Sequence, residues 1–130
     1  MKIIGHGIDL VDIARIERML TDHAERFTHR CFTESERDYA DVAQAVRAER
    51  YAARFAAKEA ILKALGTGLR DGIDWTELTI TRDSLGKPGV ILAGRASVIA
   101  TEAGIRSWHL SLTHAGGMAM ASVIAAGDPS

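Results

Sequence analysis

Glu59 and Lys63 stand four residues apart in RFAAKEAILKALG, the stretch from Arg54 to Gly66, whose alanines, leucines and lysines favour a helix that Gly66 ends. Phe55 and Leu62 mark the apolar stripe of that helix. Glu59 follows Phe55 by four and precedes Leu62 by three, so its carboxylate projects close to the stripe. A carboxylate there is costly unless it pairs, binds a metal ion or takes up a proton. Two more groups with chemistry available sit near strand ends, Asp9 in GHGIDLV and His114 in SLTHAGG. Plainer work is open to each. Asp9 lies just ahead of a helix and suits an N-cap. Glu59 and Lys63 suit a surface ion pair worth little. His114 suits a turn.

The elements that must position these groups follow from periodicity. Lys2 to Leu10 suits a short strand, with Gly5 and Gly7 permitting close backbone approach. A first helix is expected from about Val11 to Leu20, with Ile13, Ile16 and Leu20 on one side. Arg15, Met19 and Arg26 share another sector if that helix continues. Thr33 and Glu36 have capping-box spacing, so a second helix starts near Glu34 and breaks at an unspecified point before the third. Arg47, Arg50 and Arg54 form a basic stretch. Then come a GTGLRDG loop, a strand through Leu78 and Ile80, a DSLGKPG turn and a returning strand from Val90 to Ala93. A short helix fits Arg95 to Ala103. Trp108, Leu110 and Leu112 alternate with polar residues, and after a turn at His114 to Gly117 the chain returns as a buried strand, Met118 to Ala125. Residues 1–130 read as one α+β domain, helices early and antiparallel hairpins late.

Composition narrows the field. The chain has 130 residues, 47% apolar and 25% charged, with a formal net charge of -1, so no overall field draws it to nucleic acid or to a membrane. Any charged partner must use a local patch. Cys31 is the single cysteine, which excludes an internal disulfide and a cysteine-held zinc; it reads as buried and inert. No apolar run approaches a bilayer span, and the first residues meet charge too early for a signal peptide. A cytoplasmic location is expected. Trp75, Trp108, Met118 and Met120 read as packing residues. Lys58 stands where a lysine most often runs its stem along the helix with its head in water, and its role is left open.

Together GHGID, the early arginine helix, FTESE, RFAAKEAILKA, the GTG loop, the GKP turn and the closing SLTH hairpin resemble the holo-acyl-carrier-protein synthases, the small bacterial phosphopantetheinyl transferases. The resemblance covers nearly the whole chain; His6 replaces the more usual aliphatic residue between the two glycines. It implies the 4′-phosphopantetheinyl transferase fold, assembled as a homotrimer with active sites between subunits. It implies transfer of the phosphopantetheine arm of coenzyme A to a serine of apo-acyl carrier protein, in fatty acid biosynthesis, releasing adenosine 3′,5′-bisphosphate. It also implies Mg2+ held by Asp9 and Glu59. The chemistry agrees, since magnesium favours one or two carboxylates with phosphate oxygens and water. Lys63 is then placed to neutralise pyrophosphate charge. The serine proton goes to Glu59 or to an ordered water. His114 resembles a family histidine near the coenzyme A phosphates, with Thr113 beside it. Arg47 and Arg54 suit the 3′-phosphate, guanidinium matching phosphate forks. Lys87 and Pro88 resemble the nucleotide-side wall, and Gly66 and Gly68 let the loop backbone approach the ligand. In the family the first helix docks the acidic carrier protein, which assigns Arg15, Arg18, Met19 and Arg26 to that contact.

Two other functions compete. A magnesium-dependent hydrolase of nucleotide pyrophosphates uses the same carboxylates but leaves the arginine-and-methionine helix without work. A non-enzymatic module binding an acidic partner through that helix leaves Glu59 at its apolar border without explanation.

Overall fold

The computed structural model describes residues 1–129. The chain opens with strand β1 (Lys2–Asp12), followed by helices α1 (Ile13–Asp22), α2 (Ala24–Cys31), α3 (Glu34–Asp41) and the long α4 (Arg47–Leu65). Strands β2 (Leu78–Arg82) and β3 (Pro88–Leu92) form a hairpin; helix α5 (Gly94–Glu102) and strands β4 (Ser107–Ala115) and β5 (Met118–Gly127) complete it. β1, β5 and β4 make an antiparallel sheet in that order, and β2 and β3 a second, two-stranded sheet. The expected α+β arrangement is present.

α4 lies across one face of the larger sheet because that face is built from small residues. A Cβ at Gly7 would collide with the Ala60 carbonyl oxygen, and one at Gly5 with that of Ala64. Ala119, Ala121 and Ala125 of β5 are fully buried on the same side, as are Ala56, Ala57 and Ala60 of α4. Strand alternation places Gly5, Gly7, Asp9 and Val11 toward α4, and His6, Ile8, Leu10 and Asp12 away from it. Beyond the helix's other side, Phe27, Phe32, Tyr51, Phe55 and Trp75 pack ring on ring; Phe55 and Trp75 stack at 5.1 Å.

Several expected boundaries move. β1 runs past Leu10 because Val11 and Asp12 still pair with Ala119 and Met118. The first helix therefore starts at Ile13, and Asp12, not Asp9, is its N-cap, accepting from the Ala14 amide at 3.0 Å. That helix does not reach Arg26: Ala24 has φ 42°, and a new helix begins there. The break after the capping-box helix falls at residues 42–46, and the box itself is formed as expected.

Candidate functional site

Asp9 occupies an inward position of β1, opposite Ala121, and faces α4. Its carboxylate accepts from Lys63 Nζ at 3.0 Å, and the same ammonium donates to the Ile8 carbonyl at 2.8 Å. Asp9 is largely covered while Lys63 remains half exposed, so the pair lies at a surface with one side open. Lys63 thus pairs with the strand carboxylate instead of its helical neighbour Glu59. Among the described residues Glu59 has no ion pair. Burial pushes the Glu59 carboxyl above the ordinary glutamate range; the nearby Asp9 carboxylate adds to this, and Lys63 and Arg15 oppose it. Asp9, Glu59, Lys63 and Arg15 therefore share one electrostatic neighbourhood, drawn from β1, α4 and α1. Two carboxylates repelling one another beside two cations form an arrangement that a hard divalent cation relieves. Groups of three or more His, Cys, Asp and Glu are absent among the described residues, so any such cation must complete its shell with ligand and water oxygens.

His114 is brought elsewhere. It lies on β4 beyond Ala119 and Val11, with Nε2 at 3.9 Å from a Glu49 carboxylate oxygen. It lines a cleft with Tyr39, Glu49, Arg50 and Arg54. Thr113 borders that cleft, but its side chain falls on the opposite sheet face from His114. Arg54 is 6% exposed and packs on the Tyr39 ring. Arg47 does not join it: its Nε donates to Asp41 at 2.8 Å, and it lines a separate cleft with Glu17 and Thr21. Lys87 closes the turn in which Asp83 accepts from the Leu85 and Lys87 amides, and Pro88 begins β3 opposite Arg82. Gly66 and Gly68 have φ of 80° and 59°. Gly66 is needed for that conformation and not for space, since nothing lies within 4 Å of its would-be Cβ; its amide caps α4 on Leu62 and Lys63.

Met19 and Arg26 line one apolar-floored cleft with Phe27, Phe55 and Trp75, rimmed by His23 and Arg30, although α1 has ended before Arg26. Arg15 lies nearer Glu59. Arg18 is exposed and lines none of it.

Lys58 corrects an expectation. It is fully buried, donating to the Cys31 and Trp75 carbonyls at 2.7 and 3.2 Å and pairing with Glu36 at 2.7 Å. Burial pushes its ammonium down, and Glu36 pulls it back up. Glu36 in turn accepts from the Thr33 and Ile80 amides. One signal was available: Lys58 follows Phe55 by three and precedes Leu62 by four, squarely on the apolar stripe. Tyr39 and Arg82 carried no local signal, because their meeting depends on α3, α4 and β2 packing together.

A family model described as the 4′-phosphopantetheinyl transferase superfamily matches residues 5–121. A holo-[acyl-carrier-protein] synthase of Trichlorobacter lovleyi is 50% identical over 122 residues, 94% of this chain and 96% of that protein. The crystal structure of the holo-[acyl-carrier-protein] synthase of Neisseria meningitidis superposes with a TM-score of 0.86 at 35% identity, covering 95% of this chain and 98% of that one. That of Helicobacter pylori, in complex with coenzyme A, does so with a TM-score of 0.80 at 29% identity, over 93% and 99%.

Proposed function

The chain belongs to the 4′-phosphopantetheinyl transferase superfamily, and from that premise we propose that it is an enzyme moving the 4′-phosphopantetheine arm of coenzyme A to a serine of apo-acyl carrier protein. The carrier serine oxygen bonds to the arm's phosphorus, the bond to the bridging pyrophosphate oxygen breaks, and adenosine 3′,5′-bisphosphate leaves with the electron pair. The single observation that carries this reading is the Lys63–Asp9 pair at an open surface, with Glu59 one helical turn from Lys63. Phosphoryl transfer asks for positioning and charge compensation more than for covalent chemistry.

Asp9 and Glu59 are the residues that would hold Mg2+, and the donor set fits, being two hard carboxylates without soft ligands. When bound, the metal supplies charge neutralisation at the pyrophosphate. Lys63, tied to Asp9 and half exposed, orients that carboxylate and adds its own charge on the phosphate side. The serine proton passes to Glu59 or to an ordered water beside it. We assign His114 and Arg54 to the nucleotide end, with Thr113, Lys87, Pro88, Gly66 and Gly68 as further coenzyme A contacts; Arg47, held by Asp41, lies in a separate cleft. Arg15, Met19 and Arg26 receive the acidic carrier, with Arg18 steering from outside the cleft.

We place the enzyme in fatty acid biosynthesis in the cytoplasm; no helix among the described residues is long and apolar enough to cross a membrane. We also propose a homotrimer with active sites between subunits. The outward face of the large sheet supports self-association, with Ile8 50% and Leu10 59% exposed beside Met120 and Ile124. A cyclic trimer closes such a surface.

The test is coenzyme A consumption with magnesium, with and without apo-carrier protein. Release of adenosine 3′,5′-bisphosphate only when the carrier is present is expected. Equal release without it makes the protein a hydrolase, and no release with either leaves only a binding module.

A further inference from the structure

Three guanidinium groups surround one phenol ring. The guanidinium carbons of Arg50, Arg54 and Arg82 lie 4.0, 4.2 and 4.5 Å from the centroid of Tyr39. They come from different places, two from α4 and one from the end of β2, and the Tyr39 ring is common to all three. Among the described residues none of the three has a carboxylate within 4 Å. Arg50 is anchored by a 2.7 Å bond from Nη1 to the Tyr39 carbonyl, so the same residue holds it by ring and by backbone. Arg54 is more than nine-tenths buried, and its side chain makes no hydrogen bond among the described residues. Arg54 lines both clefts that Tyr39 borders, one with His114 and Arg50, the other with Ser35 and Arg82.

Such an assembly is costly when empty. Burial lowers the basicity of Arg54, and the charges of Arg82 and Arg50 lower it further, against help from Tyr39 and Glu36. Cation–π contact compensates in part, because the ring face is electron-rich. What remains uncompensated is a cluster of forked donors with positive charge in excess, the arrangement that a multiply charged phosphate satisfies.

We infer that Tyr39 is a positioning residue, its ring gathering Arg50, Arg54 and Arg82 into one receptor for a phosphate monoester dianion. The identification of that monoester as the 3′-phosphate of the nucleotide rests on the transferase reading: the pyrophosphate belongs with Asp9, Glu59 and Lys63, and the remaining phosphoryl group is the ribose monoester. The Tyr39 hydroxyl makes no hydrogen bond among the described residues, so the ring and not the phenol oxygen does the gathering. Arg50 and Arg82 join Arg54 as specificity-determining groups, while Arg47 stays with Asp41.

The experiment is calorimetric titration of the full chain with adenosine 3′,5′-bisphosphate, with adenosine 5′-monophosphate and with inorganic phosphate, for wild type, Tyr39→Phe and Tyr39→Leu. Wild type should bind the bisphosphate well above the other two. Tyr39→Leu should lose about tenfold in bisphosphate affinity while monophosphate affinity stays within about twofold. Tyr39→Phe should match wild type. A wild type that does not distinguish bisphosphate from monophosphate overturns the inference. So does a Tyr39→Leu loss shared equally by all ligands, which marks a merely structural residue, and so does no loss at all or a Phe variant as weak as the Leu one. Inorganic phosphate binding as tightly as the bisphosphate would assign the cluster to free phosphate and contradict the nucleotide assignment. These titrations need no carrier protein, so a failure of transfer to apo-carrier leaves the Tyr39 result standing by itself.

Discussion

Glu59 carries an electrostatic tension that a bound divalent cation would relieve. In metal-free protein its carboxyl is raised by burial and by Asp9. A folded state that holds a proton more tightly than the unfolded one loses stability as pH rises through the interval between the ordinary glutamate value and the raised one. Above that interval the cost is fully present, so there Glu59→Gln in chelator should melt at or above the wild-type temperature. Magnesium together with coenzyme A should raise the wild-type Tm by mass action and leave Glu59→Gln nearly unmoved. A variant that is less stable in chelator, or that responds equally to magnesium, would remove Glu59 from the metal site. Lys58 obeys a different rule. Its ammonium and the Glu36 carboxylate are both fully buried, and removal of one partner strands the other. Lys58→Met should therefore cost about 3–5 kcal/mol, a fall in Tm on the order of 10 °C or more by thermal melt. The double variant Lys58→Met with Glu36→Leu should recover part of it. A double variant as unstable as the sum of both singles would argue against coupling.

At the scale of elements, α4 is the part on which the site depends, and its distance from β1 sets the approach of Glu59 and Lys63 to Asp9. Gly7 lies two residues from Asp9 and directly beneath Ala60, the neighbour of Glu59. Gly7→Ala should push strand and helix apart, cost about 1–3 kcal/mol in stability, and lower kcat for carrier modification more than it raises KM for coenzyme A. A variant with lowered Tm but wild-type kcat would show that the spacing does not govern the site. These relations also explain what could be read from residues alone. Glu59 and Lys63 were legible because helical periodicity is local, and so were the capping box at Thr33 and the close approach implied by Gly5 and Gly7. The partner of Lys63 was not, because Asp9 arrives from 54 residues away. The depth of Lys58 was half legible: its place on the apolar stripe is local, but the Glu36 that makes burial tolerable comes from another helix. The break at Ala24 carried no local signal, because alanine ordinarily favours a helix and φ 42° is a conformation that it rarely adopts.

For the whole molecule, the two faces of the large sheet have different fates. One is closed by α4, and the other presents the rows Ile8–Ser122–Ser111 and Leu10–Met120–Thr113 outward. If that face joins subunits, Leu10→Glu should shift light-scattering mass from trimer to monomer and suppress transfer, while leaving the far-ultraviolet circular dichroism unchanged. A wild type already monomeric at working concentration would contradict the assembly and would require one subunit to hold both substrates. The carrier's approach is tested by Arg15→Glu, which should raise KM for the carrier protein by an order of magnitude and leave coenzyme A binding within about twofold; an equal effect on both would move Arg15 from the docking surface into the phosphate site. All of this depends on Asp9 and Glu59 acting together on one transferred group. The most direct measurement is the intact mass of apo-acyl carrier protein after incubation with coenzyme A and magnesium, using wild type, Asp9→Asn and Glu59→Gln. The wild type should add one phosphopantetheine arm, and each variant should add it at least about a hundredfold more slowly. An unmodified carrier with wild-type protein, or full modification by either variant, would contradict the account.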